Sequence, residues 1–274
     1  MTDTLIILQA RMSSSRLPNK VLLPILDKPM LAHQVARLQK VKTAHKLIIA
    51  TSDEDSDDDI ELLCRQLDID CFRGDLSDVL ARYYHAAIKF KSNNNTDNKS
   101  TNIVRVTGDC PLIDANVIDD VIELFIKNNC DYCSNCAPAT LPDGLDVEIF
   151  SFTALEKAYQ LAKKPSEREH VTPFIRNNPQ LFTLSNYAHN PDLSHYRWTV
   201  DEPKDFELVT KIYEYLYPQK PNFILADILI LMQEKPELTK INHHIIRNEG
   251  LLKSEKEDQQ HLKSIRQNIG QTSQ

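Results

Sequence analysis

A three-layer α/β/α fold, with helices covering both faces of a mostly parallel central sheet, is what this sequence predicts. Three observations carry that prediction. Short, unbroken apolar runs, Leu5–Leu8 and Leu47–Ala50, suit strands buried on both faces. Segments with apolar residues at helical spacing follow such runs, as with Leu31, Val35 and Leu38. The alternation then continues through most of the chain, the rhythm of parallel strands joined by crossover helices.

The bulk properties fit such a domain. At 274 residues with 41% hydrophobic content, the chain can bury a sizeable core. No apolar run approaches the roughly 20 residues of a spanning helix, so no membrane segment is expected. The N-terminus enters the first apolar run without the basic-then-apolar layout of a secretory signal, which predicts a cytoplasmic protein. A formal net charge of −7 argues against nucleic acid as a partner, although local cations can still hold a nucleotide on an acidic protein. Six cysteines in such a chain do not read as a disulfide framework. Cys130, Cys133 and Cys136 have the spacing C-x-x-C-x-x-C, but a fourth ligand is missing. In a strand Cys133 faces away from the other two, so buried inert thiols are expected there.

The most informative stretch is residues 5–20. The first apolar run ends in a loop with Arg11, Arg16 and Lys20, and three serines stand between the arginines. Fixed cations and hydroxyl donors beyond the carboxyl end of a buried strand make an anion cradle. The loop has no glycine, so it is neither a Walker-type loop nor a dinucleotide fingerprint, and side chains must do much of the binding.

Further along, Pro29 suits the first position of a helix. The second strand ends at Thr51 and Ser52, and Asp57, Asp58 and Asp59 then read as the acidic start of a helix. After a short strand at 69–72, Ser77 is placed as an N-cap, with Leu80, Tyr83, Tyr84, Ala87 and Ile88 on the buried face. Residues 92–102 are polar and read as an exposed loop. A β-rich run ends at Gly108-Asp109, where the glycine permits a conformation that a Cβ hinders. Asp114 then caps a helix with Val117, Ile118, Val121, Ile122 and Phe125 buried. Asp143, Asp146 and Glu148 cluster around Gly144, and Asp146 and Glu148 share a face if the segment is a strand. Ser166 and Glu169 form a capping-box pattern next to His170. The run R-W-T-V reads as a strand ending in Asp201, and Pro203 opens a helix that buries Phe206, Val209, Tyr213 and Leu216. An apolar helix follows from about residue 223, and residues 253–274 form a polar tail without an apolar stripe.

The segment A-R-M-S-S-S-R-L-P-N-K, residues 10–20, resembles the signature of the sugar cytidylyltransferases. The similarity is nearest to the spore coat polysaccharide biosynthesis F branch, with the enzymes activating 3-deoxy-manno-octulosonate and sialic acid as more distant relatives. Further matching segments are F-R-G-D-L-S-D-V-L-A-R, G-D-C-P-L-I, L-P-D-G-L-D-V-E-I-F, S-E-R-E-H-V-T-P-F and V-D-E-P-K-D, so the resemblance runs from residue 4 to about 235. It implies a nucleotide-diphospho-sugar transferase fold in one domain, residues 1–252, ahead of the tail. It implies that CTP and a small sugar are converted to a CMP-sugar and pyrophosphate, with Mg²⁺ as cofactor. By the same resemblance, Arg11, Lys20 and Asp109 are catalytic, and Asp109 and Asp201 hold the metal. Gln9, Ala10, Arg11, Ser15, Arg16, Lys20, Arg73, Asp78, Arg82, Thr107 and Gly108 face the nucleotide. Asp143, Asp146, Glu148, Glu169 and His170 face the sugar. A homodimer is compatible with the family, although no residue pattern argues for one.

Two alternatives stay open at the level of sequence. A glycosyltransferase consuming a nucleotide sugar uses a similar fold but wants a D-x-D pair after a central strand, where residues 109–111 read D-C-P. A metal-binding or nucleotide-sensing module would use the cysteine triplet. Neither the base nor the sugar is fixed by a particular residue.

Overall fold

The computed structural model describes residues 3–91, 101–245 and 247. Its elements in chain order are β1 (Asp3–Gln9), β2 (Pro24–Ile25), β3 (Lys28–Pro29), α1 (Met30–Leu38), β4 (Lys46–Ser52), α2 (Asp58–Gln66), β5 (Asp70–Gly74), α3 (Val79–Phe90), β6 (Thr101–Thr107) and α4 (Ala115–Asn128). They continue with β7 (Tyr132–Ser134), β8 (Glu148–Ser151), α5 (Phe152–Leu161), α6 (Pro165–His170), α7 (Pro173–Arg176), β9 (Leu184–Asn186), α8 (Pro203–Leu216) and α9 (Leu225–Glu234). Seven strands form the central sheet in the order β5-β4-β1-β6-β8-β7-β9, and β2 and β3 make a separate small hairpin. β5, β4, β1 and β6 are parallel, β8 is antiparallel to both its neighbours, and β9 lies parallel to β7. The sheet is mostly parallel, as predicted.

Alternation along β1 explains the layers. Leu5 and Ile7 join Ile48, Ala50, Ile103 and Phe150 in a core with residues of α3 and α5. Ile6 and Leu8 join Ile49, Val104, Val106 and Ile149 in a second core with residues of α1, α4, α8 and α9. Both faces of the strand are covered, so no polar residue interrupts the run. From β1 the chain moves to β4 and then β5 on one side, and later places β6 on the other. The crevice at the carboxyl ends of β1 and β6 is therefore the switch point of the sheet. The cationic loop leaves Gln9 there, and Gly108-Asp109 leaves Thr107 there. No helix among the described residues is long and apolar enough to cross a membrane.

Several local readings shift. Pro29 is the N-cap of α1 and not its first residue. Asp78, not Ser77, caps α3, accepting the amide of Ala81 at 2.9 Å, while the amide of Ser77 is held by Asp75. Ile88, expected on the buried face of that helix, is exposed. Asp114 caps α4 as predicted, and all five expected apolar residues of that helix are buried. The capping acid of α6 is Glu167, which accepts the amides of Lys163 and Lys164, so the Ser166–Glu169 box does not form. R-W-T-V is not a strand: Arg197 makes an isolated bridge to Asp143, and the next three amides go to just two carbonyls, Asp143 and Asp109. Thr101 and Asn102 belong to β6, and the rest of the polar 92–102 segment lies outside the described residues, as does the 253–274 tail.

All six cysteines are free thiols. The Cys130 thiol donates to the Phe125 carbonyl at 3.8 Å and the Cys133 thiol to the Ser134 carbonyl at 4.0 Å, while Cys136 stands beside Asn135 and Val147. Among the described residues, no group of three or more His, Cys, Asp or Glu side chains is placed to hold a metal.

Candidate active site

The site is built outward from the end of β1. The Ala10 amide donates to Ala50 of β4 at 3.2 Å, and the Met12 amide donates to the Asp57 carboxylate at 2.7 Å. The other oxygen of Asp57 accepts the Thr51 hydroxyl, the Ser52 amide and the Ser52 hydroxyl at 2.8, 2.9 and 2.5 Å. Asp57 is completely buried. Burial pushes its pKa up, but donors from Ser52, Met12 and Thr51 outweigh this and hold it below the usual carboxylate range. It is thus not an acid merely favouring a helix start; it clips the cationic loop to the end of β4. Beyond the clip, Asn19 takes a left-handed conformation and its amide returns to the Met12 carbonyl, which leads the chain into Lys20.

Lys20 is 8% exposed, and its ammonium is the centre of the site. Nζ lies 2.9 Å from Asp201 Oδ1 and 3.5 Å from Asp109 Oδ2, and donates to the Val200 carbonyl at 2.7 Å. Two acids far apart in the chain therefore meet beside the first loop. Burial pushes the Lys20 pKa down, but the charges of Asp109 and Asp201 outweigh it and raise it overall. Asp109 is pushed up by burial and brought below the usual range by Lys20 and the Thr107 hydroxyl, which donates to it at 2.5 Å. Arg16 approaches Asp201 at 3.2 Å from the loop, and Arg197 approaches it at 3.2 Å from the other side. The Gly108 amide donates to Gln9 at 2.7 Å. A Cβ on Gly108 would stand 3.0 Å from the Gln9 carbonyl and 3.1 Å from Ala10 Cβ. Close approach of β6 to β1, not an unusual dihedral, is the reason for this glycine.

The 143–148 segment is stitched to the same place. The Asp143 carbonyl accepts the amides of Trp198 and Thr199 at 2.6 and 2.9 Å, and the Asp109 carbonyl accepts the Val200 amide at 2.8 Å. Gly144 has φ of 107°, and a Cβ there would fall 2.4 Å from the Thr199 nitrogen. Arg197 grips Asp205 through two nitrogens at 3.0 and 2.9 Å and reaches Asp143 at 2.7 Å. Asn242 holds Asp205 at 2.8 Å. The three predicted sugar-side carboxylates are thus unequal. Asp143 is paired with Arg197. Glu148 is 6% exposed and accepts from Arg105, Tyr132 and Thr172 at 2.5, 2.5 and 2.7 Å. Asp146 pairs with Arg247 but remains 29% exposed.

The predicted nucleotide wall also divides. Arg73 is held by Asp58 at 2.5 Å, Glu61 at 3.1 Å and the carbonyls of Ser52 and Glu54, an ion-pair framework between β5 and α2. Asp78 caps α3 and pairs with Arg168. Both are engaged in framework contacts in this structure. Arg82 is different. It is 1% exposed, one nitrogen donates to the Asp75 carbonyl at 3.3 Å, and its Nε and Nη2 have no acceptor among the described residues. Burial lowers its pKa, and Arg11 is close enough to lower it further. Arg11 itself forms no ion pair among the described residues, and Ser15 is exposed on the loop. His170 stands 3.9 Å from Glu169; burial lowers its pKa, Glu169 opposes this, and Arg105, Arg176 and Arg11 add to the lowering. Val171 follows with φ of 71°, and the Thr172 amide closes a γ-turn onto the His170 carbonyl at 2.8 Å. A β-branched residue in that region is strained, and Thr172 is anchored on Glu148. Sequence reasoning missed Arg197, Asp205, Asn135 and Arg247. Only Asp205, three positions into α8, left a capping signal.

The sequence matches the family described as cytidylyltransferase over residues 5–257. The chain belongs to the cytidylyltransferase family. An uncharacterised protein of Methanocaldococcus jannaschii is 38% identical over 242 residues, covering 87% of this chain and 94% of that protein. The spore coat polysaccharide biosynthesis protein SpsF of Bacillus subtilis is 30% identical, covering 86% of this chain and 97% of that protein. A solved cytidylyltransferase structure from Leptospira borgpetersenii superposes with a TM-score of 0.81 at 32% identity, covering 90% of this chain and all of the other. Membership of this family makes the chain a nucleotidyltransferase and sets the glycosyltransferase alternative aside.

Proposed function

We propose that this cytidylyltransferase transfers the CMP group of CTP to a hydroxyl of a small sugar, releasing pyrophosphate, with Mg²⁺ held by Asp109 and Asp201. The observation that carries the reading is the meeting of Asp109 and Asp201 on Lys20, at 3.5 and 2.9 Å, beside the cationic loop. The donor set fits the metal. Two hard carboxylates without a third protein ligand among the described residues suit Mg²⁺, which keeps several waters and takes substrate phosphates, and do not suit structural zinc. When bound, Mg²⁺ withdraws charge from the phosphate oxygens.

The residues of the chain supply the rest. Lys20 and Arg16 keep the two acids from repelling each other and offer positive charge toward the departing pyrophosphate. Arg11 and the unsatisfied nitrogens of Arg82 are suited to phosphate oxygens. Asp146, Glu169 and His170 present polar atoms suited to sugar hydroxyls. Alignment and charge neutralisation suffice for transfer at phosphorus, because the protein itself forms no covalent intermediate. The polysaccharide role in the name of the Bacillus subtilis relative supports a sugar as acceptor. The test is pyrophosphate release from CTP with Mg²⁺ and a panel of acidic and neutral sugars, 3-deoxy-manno-octulosonate among them. Release with one sugar and a CMP-sugar product is expected; no release with any sugar, together with no CTP binding, overturns the reading.

A further inference from the structure

Asp146 is held more firmly than a residue of a solvated turn requires. Its two chain neighbours, Leu145 and Val147, are fully buried, and Asn135, itself fully buried, clamps both of them. The Asn135 amide nitrogen donates to the Leu145 carbonyl at 2.7 Å, and its oxygen accepts the Val147 amide at 2.9 Å. Alternation then turns Asp146 away from the core, where its side chain is 29% exposed. Arg247, which also donates to the Leu141 carbonyl at 3.1 Å, fixes Oδ1. Oδ2 takes no hydrogen bond among the described residues. The segment is joined to the metal-binding acids through Asp143, whose carbonyl holds Trp198 and Thr199, and Cys110, the residue after Asp109, feels the charge of Asp146 directly. A partly exposed carboxylate with one oxygen fixed by an arginine, the other without a hydrogen bond among the described residues, and its backbone clamped on both sides is the arrangement a proton acceptor needs.

We propose that Asp146 is the general base of the transfer, its open oxygen taking the proton of the attacking sugar hydroxyl. The inference rests on the transfer reading above. As the sugar oxygen bonds to the α-phosphorus, the bond from that phosphorus to the bridging oxygen breaks, its electron pair leaves with pyrophosphate, and the hydroxyl proton passes to Asp146 and then to water. The surroundings suit the role. Burial pushes the Asp146 carboxyl up to about 7, against the opposing pull of Arg247 and with support from Asp143 and Glu148. Of the other groups facing it, the Cys110 and Cys136 thiols are pushed up by burial, Glu148 is held down by Arg105 and Arg176 against its own burial, and Asp143 is itself pushed up by burial against the pull of Arg247 and Arg197.

The test uses the full chain, CTP, Mg²⁺ and whichever sugar of the panel the native enzyme turns over. Asp146→Asn should lower kcat about a hundredfold or more while KM for CTP and the thermal shift produced by Mg²⁺ and CTP stay unchanged. It should also abolish the acid limb of kcat against pH near neutrality, and Asp146→Glu should restore part of the rate. Arg247→Gln decides the matter if Asp146→Asn does not fold: without the cation, the acid limb should move to higher pH. A retained kcat, an acid limb unmoved in both variants, or a loss confined to KM overturns the assignment. If the native enzyme releases pyrophosphate with no sugar at all, the transfer reading fails first and the base falls with it, an outcome that needs no variant.

Discussion

Lys20 Nζ lies 2.9 Å from Asp201 Oδ1, so a buried ammonium from the first loop neutralises one of the two acids assigned to the metal. With Asp109 at 3.5 Å from the same nitrogen, the three groups carry one net negative charge, which a divalent cation reverses. Under the proposed mechanism, lysine and metal would therefore compete electrostatically for the same carboxylates, even as both would attract the nucleotide. Lys20→Met should accordingly bind Mg²⁺ about tenfold more tightly without nucleotide, a change of about 1.4 kcal/mol that is modest for adjacent charges. CTP affinity should fall at the same time. Calorimetric titration with Mg²⁺ measures the first and thermal shift with CTP the second. Unchanged Mg²⁺ affinity would separate the lysine from the metal site.

Asp57 makes a prediction about both stability and pH. Its carboxylate accepts four hydrogen bonds from Met12, Thr51 and Ser52, and its pKa is held below the usual range. A depressed native pKa means that the stabilisation is present above the unfolded carboxylate value, about 4, and disappears as pH falls through the lower native value. Asp57→Asn turns an acceptor into a partial donor facing donors, and should cost about 3 kcal/mol at pH 7. Calorimetry from pH 3 to 8 should show the gap from the native protein narrowing below about pH 4. Because the Met12 amide loses its anchor, KM for CTP should rise as well. A pH-independent gap would remove Asp57 from this role.

The contrast between Asp57 and its neighbours shows where the sequence stopped being readable. Leu5–Leu8 was legible because burial on both faces leaves no choice of residue type. Asp109 and Asp201 were legible because each follows a short apolar segment inside a recognisable motif. Asp57 stands among Asp55, Asp58 and Asp59, and local spacing cannot single out the one acid that meets Met12 of a loop 45 positions away. Arg73 and Arg82 look equally available in sequence. The pairing of β4 with β5 brings Asp58 and Glu61 onto Arg73, whereas the helix that carries Arg82 buries it with two nitrogens unsatisfied. The capping acid of α6 was displaced from Glu169 to Glu167 because Pro165 starts the helix earlier than the Ser166 pattern suggested.

Gly144 tests the stitching of the proposed sugar side to the proposed metal side. At φ of 107°, with a Cβ position 2.4 Å from Thr199 N and 2.6 Å from the Trp198 carbonyl carbon, no side-chain rearrangement can make room. Gly144→Ala must push the 143–146 turn away from Trp198 and Thr199, and so loosen the Asp143 carbonyl from both amides. A loss of about 3–5 kcal/mol is expected from backbone strain and the broken bonds, read as a lower denaturant midpoint. Any folded fraction should retain the proposed Mg²⁺ binding at Asp109 and Asp201 more fully than it retains the proposed sugar transfer. An alanine variant of native stability would mean that the approach is looser than described.

Arg82 should show the opposite signs for stability and function. A guanidinium 1% exposed, with Nε and Nη2 unsatisfied and Arg11 nearby, is a buried charge whose desolvation is not fully offset among the described residues. Such a group is retained at a cost when a ligand supplies the missing counter-charge. Arg82→Met keeps the packing of the stem and removes the charge. It should therefore raise Tm without nucleotide by about 2–6 °C, corresponding to about 1–2 kcal/mol. The same change should shrink the thermal shift given by CTP and raise KM for CTP about tenfold or more, the loss expected of a charge-assisted contact. Two thermal scans, with and without CTP, read both effects from one sample. A variant less stable than the native protein but with an unaltered CTP response would make Arg82 a framework residue, like Arg73, and take it out of the nucleotide site.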